Sequence, residues 1–204
     1  MIAICDYGMG NRRSVEKALA HVGARTCVTA DHDEIRAADG VILPGVGAFP
    51  EAMRNVTRLG LDDLLRERAA AGAPLLGICL GLQLLFERSS EHEGAAGLGL
   101  LPGGVTPLRA PKLPHIGWNR VTFERASALT EGLGGAAAFY HVHSLACRPD
   151  EPADVVGRGE YGESFVSIAE RGSVFGVQFH PEKSSRDGLA LLANFARVCA
   201  RVAA

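Results

Sequence analysis

The chain has 204 residues with 47% hydrophobic content, enough to bury one large core. A net charge of −2 and an isoelectric point near 6.4 leave no basic stripe, which excludes electrostatically driven nucleic-acid binding. The five cysteines, at 5, 27, 79, 147 and 199, are odd in number, widely spaced and without a Cys-x-x-Cys, so neither a disulfide framework nor a zinc site is expected. The start, Met1-Ile2-Ala3-Ile4-Cys5-Asp6, is too soon interrupted for a signal peptide, and no apolar run reaches the ~18–20 residues of a membrane span. A soluble protein of a reducing cytoplasm is expected, without metal or cofactor.

In chain order, Ile2–Cys5 is predicted as a strand buried on both faces. Asp6-Tyr7-Gly8-Met9-Gly10-Asn11 follows as a glycine-rich turn. A helix with Val15, Leu19 and Val22 on one face then stops at Gly23. Gly8-x-Gly10 could open a dinucleotide fingerprint, but Arg13 stands where its third glycine belongs. Thr26–Thr29 is a second strand, Asp31 caps a short helix, and Val41–Leu43 is a third strand. That strand empties into Pro44-Gly45-Val46-Gly47-Ala48-Phe49, a loop able to expose several N–H groups. A helix over Leu61–Ala71 follows. This β-α alternation predicts an α/β fold, with a mostly parallel sheet and helices on both faces. Sites in such sheets form at the carboxyl ends of strands.

Residues 74–78 predict a short apolar strand, and a helical pattern with Leu82, Leu85 and Phe86 on one face begins directly after Cys79. Gly77-Ile78-Cys79-Leu80-Gly81 between strand and helix is the cysteine version of a nucleophile elbow, whose glycines admit a turn too sharp for side chains. A buried structural cysteine is the ordinary occupant of such a joint, so a base is needed to decide. The chain between Ser89 and Gly104 reads as a polar surface loop. Strands near Val105–Leu108, Val121–Phe123 and Ala137–Val142 suggest an added small antiparallel layer. His141 and His143 share a strand face, but no third ligand candidate is near in sequence, which argues against a metal site. A last strand over Val174–Phe179 is closed by His180-Pro181-Glu182. His180 can serve as the base with Glu182 fixing its tautomer. A final helix carries Leu189, Leu192, Phe195 and Val202. With no repeat or interior linker, residues 1–204 read as one domain.

The Gly-x-Cys-x-Gly-x-Gln stretch at 77–83, together with Phe179-His180-Pro181-Glu182-Lys183-Ser184, resembles the class I (triad) glutamine amidotransferases, a three-layer flavodoxin-like fold. Four further stretches narrow the resemblance. Asp6–Asn11, Leu43–Phe49, Pro114-His115-Ile116-Gly117-Trp118-Asn119 and His143-Ser144 are similar to the glutaminase subunits of imidazole glycerol phosphate synthases, over essentially the whole chain. The resemblance implies a Cys79, His180, Glu182 triad that releases ammonia from glutamine. It implies an oxyanion hole from the Leu80 N–H and one N–H of Gly45, Val46 or Gly47, a segment expected to reorganise when acceptor binds the partner. It places Gln83, Glu91, Tyr140, His143 and Ser144 at the glutamine pocket, and Asn11, Trp118 and Lys183 at a partner interface. The implied partner is a (β/α)8-barrel cyclase, expected on another polypeptide because the chain closes at Ala204 after the last helix.

The chain departs from the usual pattern at Arg12, Leu82, His141 and Leu145, which puts local packing in question but not the chemistry. Glutaminases of pyridoxal phosphate synthase or anthranilate synthase are rival readings, separated by the Asp-Tyr-Gly-Met-Gly-Asn and Pro-His-Ile-Gly-Trp-Asn stretches. A catalytically silent regulatory subunit is the other rival, against which the intact triad argues.

Overall fold

The structure is a computed structural model that describes residues 1–202. Its first half alternates as the apolar pattern requires: β1 (Ile2–Cys5), α1 (Arg12–His21), β2 (Thr26–Thr29), α2 (His32–Ala37), β3 (Gly40–Gly45), α3 (Phe49–Arg58), α4 (Leu61–Ala70), β4 (Leu75–Cys79) and α5 (Leu80–Leu84). Then come β5 (Phe86–Ser89), β6 (Ala95–Ala96), β7 (Leu101–Pro107), β8 (His115–Phe123), β9 (Ala136–His143), β10 (Leu145–Pro149), β11 (Val155–Tyr161), β12 (Glu163–Arg171), β13 (Val174–Val177) and α6 (Ser185–Val202).

All strands join one mixed sheet, whose main path runs β2-β1-β3-β4-β13-β12-β10-β7-β5-β6. The first five strands of that path are mutually parallel, and β12, β10 and β7 continue it antiparallel. β11 pairs with β12 and β8, and β8 with β9, so the antiparallel strands are attached to the same sheet, as expected.

Alternation along the strands divides the core. Ile2, Ile4, Ile42, Leu76 and Ile78 pack on one face with α1 and α6, through Leu19, Leu192 and Phe195. Ala3, Cys5, Val41, Leu43 and Leu75 pack on the other with α2, α3 and α4, through Ile35, Val56 and Leu65. β1, β3, β4 and β13 are buried at every position, which is why they read as unbroken apolar runs. Each such leucine or isoleucine contributes roughly 1.5–3 kcal/mol by burial. Register sets Gly45 beside Cys79 and Val177 beside Ile78, so three parallel strands end together, and His180 emerges just past that edge.

The structure corrects several local expectations. The helix after Cys79 stops at Leu84, because the carbonyls of Leu84, Leu85 and Phe86 accept the N–H groups of Leu98, Leu100 and Gly99. Phe86 therefore opens a strand, and the expected polar loop contains the end of β5, all of β6 and the start of β7. β8 begins at His115, well before Val121, while β13 stops at Val177. Helix α3, where no element was expected, starts at Phe49. Its cap residue Ala48 has no polar side chain, and the Glu91 carboxylate accepts the Phe49 N–H at 2.6 Å in its place. The Asp31 cap is formed, with its carboxylate accepting from Asp33 and Glu34 at 2.9 and 3.0 Å.

Candidate active site

Cys79 has φ 55° and ψ −109°, a conformation few non-glycine residues adopt. The turn is this sharp because β4 passes directly into α5. A Cβ on Gly77 would lie 2.6 Å from the backbone of Gly81, so only glycine fits there. The Cys79 sulfur is consequently held at the strand end, 3.7 Å from both the Val142 carbonyl and the Gln178 side-chain amide.

His180 follows β13 and is buried. Its N–H donates to the Tyr140 carbonyl at 2.9 Å. The Ser184 hydroxyl donates to the His180 carbonyl at 2.6 Å and accepts the Tyr140 N–H at 2.9 Å, fixing the loop to β9. The imidazole Nδ1 donates to Glu182 Oε1 at 2.9 Å, and the ring lines the same cavity as Cys79. Burial alone would push the imidazole down. The hydrogen bonds to Cys79 and Glu182 and the attraction of both outweigh it and raise the pKa to about 10. The Glu182 side chain is completely buried, and its Oε1 is also 3.5 Å from the Asn11 amide.

A cavity of about 200 Å³ is lined by Val46, Gly47, Cys79, Leu80, Val142, His180 and Lys183. Larger clefts, of about 590, 610 and 490 Å³, lie near Arg125, Arg54 and Cys199, and none of them is lined by Cys79 or His180. The arrangement suits acyl transfer: a strained cysteine that lines the cavity, a proton-holding imidazole oriented by a buried carboxylate, and N–H groups at a helix start.

The other residues singled out in the sequence fall in distinct places. Gly45 is buried beside the elbow, while Val46 and Gly47 are exposed over the cavity. Gln83 is buried, with its amide donating to Gln178 at 3.2 Å. Glu91 caps α3. Tyr140 packs edge-on against Trp118 with ring centroids 6.2 Å apart. Ser144 is exposed, and its carbonyl accepts the Leu108 N–H. None of Gln83, Glu91, Tyr140, His143 or Ser144 lines the cavity as it stands. Gln178, Val142 and Tyr7 were not singled out. Gln178 carried the one usable signal, since it lies two residues before His180 and thus on the same side of an extended segment. Of the departures, Arg12 pairs with Asp6 and Leu82 fills the space over Gly176.

His141 and His143 acquire a third histidine across the β8–β9 pair. His115 Nδ1 is 2.9 Å from His143 Nε2, and its ring stacks on His141 at 5.2 Å. His143 Nδ1 donates to the Leu145 carbonyl and His141 Nδ1 to that of Phe139, while His141 Nε2 meets the Ser167 hydroxyl. These ring nitrogens are thus engaged as neutral imidazoles. Among the described residues no group of three or more His, Cys, Asp or Glu side chains could hold a metal ion.

Residues 3–199 match the family described as glutamine amidotransferase class-I. The chain is 57% identical over 195 residues to imidazole glycerol phosphate synthase subunit HisH of Moorella thermoacetica, covering 95% of this chain and 93% of that protein. It is 53% identical over 197 residues to the same subunit of Bacillus cereus, with 96% and 93% covered. Among solved structures, a glutamine amidotransferase superposes with a TM-score of 0.78 at 19% identity, covering 98% of each chain. PurLQS of Thermotoga maritima superposes at 0.76 and 20%, covering 96% and 97%. The chain belongs to the class I glutamine amidotransferase family, in the group of the HisH subunits of imidazole glycerol phosphate synthase.

Proposed function

We propose that the chain, as one catalytic domain, is the glutaminase subunit of imidazole glycerol phosphate synthase in histidine biosynthesis. In this reading Cys79, its thiol proton taken by His180, attacks the side-chain amide carbon of glutamine. The tetrahedral oxyanion is received by the Leu80 N–H and by one N–H of the Gly45–Gly47 segment. A donor of this kind lowers a barrier by about 3–4 kcal/mol. His180 passes its proton to the departing ammonia, leaving a thioester on Cys79. It then takes a proton from water, which attacks the thioester carbon, and glutamate leaves as the sulfur regains its electron pair. Glu182 holds the imidazole in place and favours its charged form. The observation that carries this reading is the strained Cys79 facing an imidazole tied to a buried carboxylate at 2.9 Å.

The ammonia would pass to a (β/α)8-barrel cyclase that forms imidazole glycerol phosphate and aminoimidazole carboxamide ribotide. A docking face for it is supported by the exposed apolar side chains of Leu113, Ile116 and Trp118, and by Lys183 at the cavity rim. Asn11, half-buried with its amide 3.5 Å from Glu182, would link that face to the triad. We place the protein in the cytoplasm, which suits its five free cysteines. Among the described residues no helix is long and apolar enough to cross a membrane.

Cys79→Ala in the complex with the cyclase tests the assignment. Glutamine-dependent synthesis should vanish while synthesis from added ammonium salts persists. Retained use of glutamine would overturn the nucleophile, and failure of the chain to bind or be activated by a barrel cyclase would overturn its place in this synthase.

A further inference from the structure

The segment that carries the second oxyanion donor is gripped unevenly. Pro44 and Gly45 are buried, whereas Val46 and Gly47 are exposed. The grip comes from the turn after β1. Tyr7, wholly buried, donates its hydroxyl to the Pro44 carbonyl at 2.6 Å. The same oxygen would stand 2.7 Å from a Cβ on Gly45, so the phenol is wedged between the end of β3 and the elbow. Gly10 closes the other side, where its Cβ would be 3.1 Å from the Pro44 oxygen. Downstream, the Glu91 carboxylate holds the Phe49 N–H. Four residues, Gly45 to Ala48, are therefore spanned between two buried or half-buried anchors, with the exposed pair at their centre.

We infer that the Tyr7 hydroxyl is a positioning group for the oxyanion segment: it fixes the Pro44–Gly45 peptide and confines backbone rearrangement to the peptides around Val46 and Gly47. An amide's C=O and N–H point in opposite directions, so holding the Pro44 oxygen against Tyr7 also fixes the Gly45 N–H. The peptides on either side of Val46 are the ones free to turn an N–H toward the cavity. Tyr7 does not line the cavity. It is a positioning residue, and the inference rests on the glutaminase reading above.

The test is Tyr7→Phe in the full chain, as the complex with the cyclase, with and without imidazole glycerol phosphate on the cyclase. Without the anchor the Pro44–Gly45 peptide joins the rearrangement, so the longer, looser segment reaches the donor arrangement without stimulation. The unstimulated glutaminase kcat should rise, and the stimulated-to-unstimulated ratio fall by about five-fold or more, with KM for glutamine within about two-fold. General destabilisation would lower both rates and leave the ratio in place. A ratio within about two-fold of the parent chain overturns the inference. Hydrogen exchange supplies an arm that needs no partner: the amides of Gly45 to Ala48 should exchange about ten-fold faster in the variant, and unchanged exchange overturns the anchor. If the parent complex shows no stimulation, the glutaminase reading fails, while the exchange arm still decides whether Tyr7 holds the segment.

Discussion

A Cβ placed on Gly81 would stand 1.8 Å from the carbonyl oxygen of Leu43. The start of α5 is therefore pressed against the backbone of β3, and this contact brings the elbow next to the Pro44–Gly47 segment. A methyl group cannot be accommodated by a side-chain shift, because the obstacle is main chain inside a paired strand. Gly81→Ala should cost more than about 3 kcal/mol of stability, or displace α5 and abolish glutaminase activity. Denaturant unfolding and the activity of the soluble fraction check this. A variant of parental stability and rate would show that β3 and α5 are not in contact as described.

Glu182→Gln keeps the shape of the side chain but removes the charge that faces His180 at 2.9 Å. The imidazole then loses one of the attractions that outweigh its burial, and its pKa should fall from about 10. An amide in this position also no longer dictates which ring nitrogen is protonated, so kcat should drop about 10²–10⁴-fold with little change in KM. The sign for stability follows from the raised folded-state value. The His180 contribution is fully present below the ordinary 6.5 and is lost as pH rises through about 10. The variant should accordingly lose less stability than the parent over that interval. Titration of the His180 ring by NMR and thermal unfolding at several pH values read both effects.

The buried histidines act with the opposite sign. Burial, reinforced by repulsion from the neighbouring imidazoles, lowers His141 to about 3 and His143 to about 4. The unfolded chain binds protons on these side chains from 6.5 downward while the folded chain refuses them. Their contribution is therefore present above 6.5 and is lost as pH falls toward 4 and 3. His141→Phe removes one such group but strands the Ser167 hydroxyl and the Phe139 carbonyl, at about 1–3 kcal/mol for unmet hydrogen bonds. The variant should be less stable than the parent at pH 7 yet fall less steeply between pH 6.5 and 4. Parallel stability curves would contradict the neutral, hydrogen-bonded state of His141.

What was legible in the sequence was local. Cys79 between two glycines, and His180 two residues before Glu182, carry their geometry within a few residues, and the apolar runs of β1, β3 and β4 announce a parallel sheet. What was not legible depends on pairing at a distance. Helix α5 looked longer because Leu82, Leu85 and Phe86 keep helical spacing, while the N–H groups that end it come from Leu98 to Leu100. Helix α3 lacked a capping side chain of its own, since Glu91 supplies it from another loop. Gln83 and Gln178 meet across 95 residues, and Tyr7 reaches Pro44 across 37. A single sequence gives no local signal for such contacts.

Trp118 tests the proposed partner face. It is 55% exposed, and its ring packs edge-on against Tyr140. Ile116, 59% exposed, precedes it by two residues on β8, so the two side chains stand on the same outward face. An exposed tryptophan flanked by aliphatic side chains stabilises the isolated chain little and gains its burial only on association. Trp118→Ala should therefore leave the unfolding temperature of the free chain within about 2 °C of the parent. The same change should weaken binding to a barrel cyclase by about 2 kcal/mol, roughly a thirty-fold rise in Kd. Ammonia transfer should suffer with it, measured as a fall in cyclase product formed per glutamine hydrolysed. An unchanged Kd together with a lowered unfolding temperature would make Trp118 a structural residue of the β8–β9 pair and remove it from the interface.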